Sequence, residues 1–128
     1  MSFLVVEKDD RLRSGVKELL RLMWPQTAVI TASTGQKASE IIETRSLKAV
    51  LLANNLGDMS ALTLLDQLSE NRLNGKVPVI GLTTHDAEHD EETAEIWDRA
   101  TTCLEKPYTV EQLIEKIQRS LAVVMLPL

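Results

Sequence analysis

Three short stretches of this chain place ionisable or hydroxyl side chains directly after apolar runs, where a polar pocket would form. Glu7-Lys8-Asp9-Asp10 follows Phe3-Leu4-Val5-Val6, Thr83 closes the run Val77–Thr83, and Lys106-Pro107 follows Thr102–Glu105. Carboxylates, a hydroxyl and an ammonium can together hold or bind a charged group. They do not make one of the commoner cofactor sites. A dinucleotide fold needs glycines after its first strand so that backbone can approach phosphate, and Glu-Lys-Asp-Asp has none. The phosphate-loop pattern G-x-x-x-x-G-K-[ST] and the nucleophile elbow G-x-S-x-G are both missing. His85 and His89 sit four apart on an expected helix, but without a third ligand they read as solvated side chains. Cys103, the single cysteine, excludes an internal disulfide or a Cys-rich zinc site, and within a short strand it reads as a small apolar filler.

The elements that must position these residues alternate from end to end. Phe3–Val6 is apolar without a break, as in a strand buried on both faces. Leu12, Val16, Leu19, Leu20 and Met23 form one face of a helix, capped by Asp9 or Asp10 and barred by Pro25 from continuing past about Trp24. Further strands are expected over Thr27–Thr31, Ala49–Ala53, Val77–Thr83 and Thr102–Glu105. Between them lie a helix opened by Thr34-Gly35 with Ala38, Ile41 and Ile42, and another with Leu62, Leu65 and Leu68. An acidic, weakly amphipathic helix runs from about Asp86 to Asp98, and a last one carries Val110, Leu113, Ile114, Ile117 and Leu121. Such alternation with short connections predicts one doubly wound α/β domain over 1–128, a parallel sheet with helices on both faces. Its ligand crevice lies beyond the carboxyl ends of the strands, which selects the loops Glu7–Asp10, Ala53–Met59, Thr83–Asp86 and Glu105–Tyr108.

Composition narrows the class further. The chain has 128 residues, close to a prior of roughly 150 per domain. A net charge of −5 without a basic run argues against direct nucleic-acid binding. The apolar stretch 121–128, an extension of the last helix, is far below the roughly 18 residues that span a bilayer. It is a docking segment or the start of a continuing chain. No charged-then-apolar leader is read at the start, so the expectation is a soluble protein of the cytoplasm, with no membrane partner.

The segments 3–13, 51–62 (Leu-Leu-Ala-Asn-Asn-Leu-Gly-Asp-Met-Ser-Ala-Leu), 77–83 (Val-Pro-Val-Ile-Gly-Leu-Thr) and 103–108 (Cys-Leu-Glu-Lys-Pro-Tyr) together resemble the receiver domains of bacterial response regulators in two-component signalling. The resemblance covers nearly the whole chain. It implies a flavodoxin-like (βα)5 fold with sheet order 2-1-3-4-5, and a signalling module rather than an enzyme. In that family an aspartate ending the third strand accepts a phosphoryl group from a histidine kinase. Two acids after the first strand hold Mg²⁺, and a Thr and a Lys contact the phosphoryl group. Thr83 and Lys106 match, and Glu7 matches the first acid in charge. Lys8 stands where the second acid belongs, and Ala53 where the acceptor belongs, the register being set by Gly57-Asp58-Met59-Ser60. Cys103 takes the place of a switching aromatic, and Arg99 that of a Gly.

Those departures have chemical consequences. Alanine has no nucleophile, so no acyl phosphate forms at position 53. The pocket of Glu7, Lys8, Asp9, Ala53, Thr83 and Lys106 moves about three charge units toward positive, so Mg²⁺ binding is expected to be weak or absent and no cofactor is expected. Lys8 is expected to pair with Glu7 or Asp9, Lys106 to tether Glu7, and Asp58 to cap the helix that follows it. With Cys103 in place of an aromatic ring, coupling to Thr83 is expected to be muted. The expected function is an atypical, phosphorylation-independent receiver acting by protein–protein contact. Its partners are a histidine kinase or an output protein, or a second copy through the face of the fourth helix, fifth strand and fifth helix. Ile96 and Trp97 are adjacent there and cannot both face the core, so one is a candidate anchor. The alternatives are an active receiver phosphorylated on Asp58 or Asp9, and an anion-binding pocket.

Overall fold

The computed structural model describes residues 1–84 and 90–125. Five strands, β1 (Ser2–Val6), β2 (Ala28–Ala32), β3 (Leu47–Ala53), β4 (Val79–Thr83) and β5 (Thr102–Glu105), alternate with five helices. These are α1 (Asp10–Met23), α2 (Gly35–Thr44), α3 (Ala61–Glu70), α4 (Asp90–Arg99) and α5 (Val110–Met125). All strand pairs are parallel, in the order β2-β1-β3-β4-β5. The expected order is therefore the observed one.

The uninterrupted apolar run of β1 is explained by the two cores it feeds. Phe3 and Val5 join Val16, Leu20, Leu51, Ile80, Leu113 and Ile117 beneath α1 and α5. Leu4 and Val6 point the other way, joining Ile42, Val50, Leu52, Leu64, Leu68 and Ile96 beneath α2, α3 and α4. Successive side chains of a strand face opposite sides, so a strand covered on both needs apolar residues throughout. At the bottom of the fold, buried Asn74 accepts from the Leu47 amide and donates to the carbonyls of Ile42 and Arg45, tying the α2–β3 connection to the segment before β4.

Boundaries differ from the sequence reading by one or two residues at most strands: β3 begins at Leu47 and β4 at Val79. The expected start of the fourth helix at Asp86, together with His85 and His89, lies outside the described residues. The helix is described from Asp90. Among the described residues no group of three or more His, Cys, Asp or Glu side chains is placed to hold a metal ion, and no helix is long and apolar enough to cross a membrane.

Candidate functional site

The carboxyl ends of β1, β3, β4 and β5 bring Glu7, Ala53, Thr83 and Lys106 to one rim of the sheet. Glu7, just past β1, is 5% exposed, and its backbone N–H donates to the Ala32 carbonyl. One carboxylate oxygen forms an ion pair with the Lys106 ammonium, and the other accepts the Asp9 amide at 3.1 Å. The expected tether is thus present. Lys106 is itself fixed by its backbone N–H, which donates to the Thr83 carbonyl at 2.8 Å. Arg13 closes the loop from below: Nη1 donates to the carbonyls of Glu7 and Lys8, and Nη2 pairs with Asp10 at 2.5 Å.

Lys8 departs from expectation. Both Glu7 oxygens are engaged and Asp9 accepts from the Arg11 and Leu12 amides as the N-cap of α1. Lys8 accordingly pairs with no carboxylate among the described residues. Its stem instead runs toward Gly57, where an added Cβ would lie 3.6 Å from Lys8 Cδ. The Asp9 carboxyl is held below its ordinary range, chiefly by the Leu12 amide.

Ala53 ends β3 with no exposure. The polar groups around it are paired from within. Asn54, 4% exposed, accepts the Thr84 amide at 2.9 Å and donates to the Thr84 carbonyl and to Thr93 Oγ1. Thr83 is fully buried and donates to the Leu104 carbonyl at 3.4 Å while accepting from the Trp97 indole at 3.1 Å. Beyond Asn54 the loop turns through two left-handed residues, Asn55 at φ 55° and Gly57 at φ 92°. Glu92 of α4 reaches into this turn. One carboxylate oxygen accepts the Asn55 amide at 2.9 Å; the other accepts Ser60 Oγ at 2.7 Å and the Ala61 amide at 3.0 Å.

This geometry corrects the assignment of Asp58 and settles which of Ile96 and Trp97 faces the core. Asp58 does not cap the helix that follows it; Ser60 does, accepting the Leu62 amide. Asp58 instead reaches across the fold to accept the Gly35 and Gln36 amides at 2.8 and 2.9 Å, serving the first turn of α2 alongside its N-cap Thr34. Those amides, Gly35 first, hold its carboxyl below the ordinary range. Of the adjacent pair on α4, Ile96 is fully buried against β4 and is no part of a surface, whereas Trp97 is 50% exposed.

Cys103 is the buried filler the sequence suggests. Its thiol lies 3.7 Å from the Ile96 carbonyl, and burial pushes its pKa up to about 11. A Cβ on Gly81 would come within 2.6 Å of Cys103 Sγ and 2.8 Å of Ile96 Cγ2, so only glycine lets α4 lie this close to β4 and β5. Thr83 does meet an aromatic ring, that of Trp97, which comes from α4 rather than from position 103 of the strand.

Glu92, Asn54 and Arg13 were not singled out by sequence. Asn54 had one available signal, its position next to Ala53; Glu92 had none, standing in the acidic run Asp90-Glu91-Glu92.

Residues 3–118 match the response regulator receiver domain family. The nitrate/nitrite response regulator protein NarL of Escherichia coli strain K12 is 32% identical over 85 residues, 66% of this chain and 39% of that protein. The chain thus spans less than half the length of that relative. Solved structures share the fold, among them two receiver domains. The signal receiver domain of a signal transduction histidine kinase from Syntrophus aciditrophicus has a TM-score of 0.84 at 19% identity, covering 99% of this chain and 94% of that one. A CheY-like receiver domain protein from Methanospirillum hungatei JF-1 has a TM-score of 0.83 at 23% identity, covering 95% and 94%. With a match that runs from β1 into α5 and a parallel sheet in the order β2-β1-β3-β4-β5, the chain belongs to the response regulator receiver domain family of two-component signalling.

Proposed function

We propose that this receiver domain signals without phosphorylation, through protein contact at the face formed by α4, β5 and α5. The observation that carries the reading is the buried methyl of Ala53, at the position where the resemblance places the acceptor aspartate, among polar groups already engaged. Lys106 is spent on Glu7, Thr83 on Trp97 and Leu104, the Thr84 amide on Asn54, and the Asn55 amide on Glu92. An incoming phosphoryl group would have to break these bonds without a nucleophile to receive it. Phosphoryl transfer to Asp58 or Asp9 is disfavoured by the same accounting, since each carboxylate caps a helix.

Mg²⁺ is not part of this function. The pocket offers Glu7 as its central carboxylate, already neutralised by Lys106, whereas the ion takes one or two free carboxylates together with phosphate oxygens. On the proposed output face stands Trp97, half-exposed as a residue, the kind of aromatic anchor that dominates interface energetics. The partner is a kinase, an output protein or a second copy of the chain, and the setting is the cytoplasm. Incubation with Mg²⁺ and a small-molecule phosphodonor tests the reading: no phosphoryl adduct is expected in the intact mass, and a stoichiometric adduct would refute it.

A further inference from the structure

α4 is held to the domain differently from its neighbours. It buries one side chain, Ile96, whereas α3 buries Ala61, Leu64, Leu65 and Leu68. Its other side-chain ties seen among the described residues are polar. Glu92 bonds the turn after β3 and the start of α3, Thr93 accepts from Asn54, Trp97 donates to Thr83, and Arg99 pairs with Asp66 of α3 at 2.5 Å.

Glu92 stands apart within this set because its carboxylate meets three donors at once. Ala61 is the first residue of α3, so its N–H has no acceptor within its own helix, and a negative charge there also faces the positive end of that helix. The Asn55 amide is turned toward the same carboxylate in a left-handed backbone conformation. Hydrogen bonds to a charged acceptor are about twice as strong as neutral ones, so this one side chain carries much of the attachment.

We infer that Glu92 is a latch for α4, and that opening it lifts Trp97 off Thr83. A helix fastened by one buried apolar residue and a few polar bonds can leave its seat while both cores stay closed, which is the condition for local opening ahead of global unfolding.

The test uses the full chain carrying Trp24→Phe, so that Trp97 is the single emitter, with and without Glu92→Gln. Glutamine keeps the shape but removes the charge and presents an N–H₂ to a donor. Amide exchange at Asn55, Ala61 and Thr93–Trp97 is expected to accelerate about ten- to a hundredfold. Trp97 emission is expected to move to the red, while β1 and β3 amides keep their parental rates. Acceleration confined to Asn55 and Ala61 would overturn the latch and leave Glu92 as a cap only; equal acceleration in β1 and β3 would overturn it as well, because a latch opens locally. Should the variant not fold, the parent chain decides: α4, Asn55 and Ala61 must open together before β1 and β3, and opening only with the whole domain refutes the proposal. None of these readouts involves Mg²⁺ or a phosphodonor, so failure here is separable from failure of the proposed function.

Discussion

Glu7 and Lys106, 99 positions apart in the chain, close on each other at the rim of the sheet with both side chains largely out of solvent. The two are not equivalent. The Glu7 side chain is 6% exposed and also holds the Asp9 amide, whereas Lys106, at 16%, has a flexible stem that can carry its charge outward.

That asymmetry sets the first prediction. Lys106→Met leaves a buried carboxylate without its counter-ion and is expected to cost about 2–4 kcal/mol, slightly below the usual range for breaking a buried pair because the lysine is partly solvated. Glu7→Gln frees a lysine that can reach water and is expected to cost less. Urea unfolding of the two variants gives the comparison, and an equal or reversed order would mean that the pair is not the buried tether described.

A second prediction concerns Asp58. Its carboxyl is held below the ordinary value of 3.8 by the α2 amides, so folding favours the ionised form. The stability it contributes is present above that value and is lost as pH falls through the lower, folded value. Asp58→Ala is therefore expected to lower the melting temperature at neutral pH, with the gap narrowing below about pH 3.8. A gap that stays constant from pH 7 to pH 3 would remove Asp58 from its capping role.

The Cys103 thiol gives a third, of opposite sense. The unfolded chain loses the thiol proton near 9 while the folded chain keeps it to about 11, so stability falls as pH rises across that window. Alkylation at pH 8 is expected to be slow in the native protein and fast in denaturant, with a thiolate fraction of about one in a thousand in the fold. Rapid native labelling would contradict the burial of this side chain.

A fourth prediction asks the pocket to run backwards. Ala53→Asp combined with Lys8→Asp restores two carboxylates beside Glu7 and removes an ammonium, and is expected to create saturable Mg²⁺ binding that the parent lacks. A double variant that folds but binds no ion would show that the alignment of Ala53 and Lys8 with the pocket is out of register.

Much of this architecture is legible in the sequence because it is written in local signals. The apolar run of Phe3–Val6 announces a strand covered on both sides, Asp9 and Thr34 announce helix starts, and Pro25 bounds a helix end. The Glu7–Lys106 pair follows once the strand ends are known to share a rim. What is not legible depends on distance across the fold. Asp58 has the spacing of a cap for the helix that follows it, but the backbone turn at Gly57 carries it to α2 instead. Glu92 is one acid among several, and nothing local marks it as the one that finds three donors. Trp97 likewise looks like a surface aromatic until Thr83 is seen beneath it.

The central claim is that the rim of this sheet takes no phosphoryl group, and the most direct measurement is the intact mass of the folded chain after incubation with Mg²⁺ and a small-molecule phosphodonor. The account predicts an unchanged mass under conditions that phosphorylate an aspartate-bearing receiver run in parallel. A stoichiometric phosphoryl adduct on this chain would contradict it.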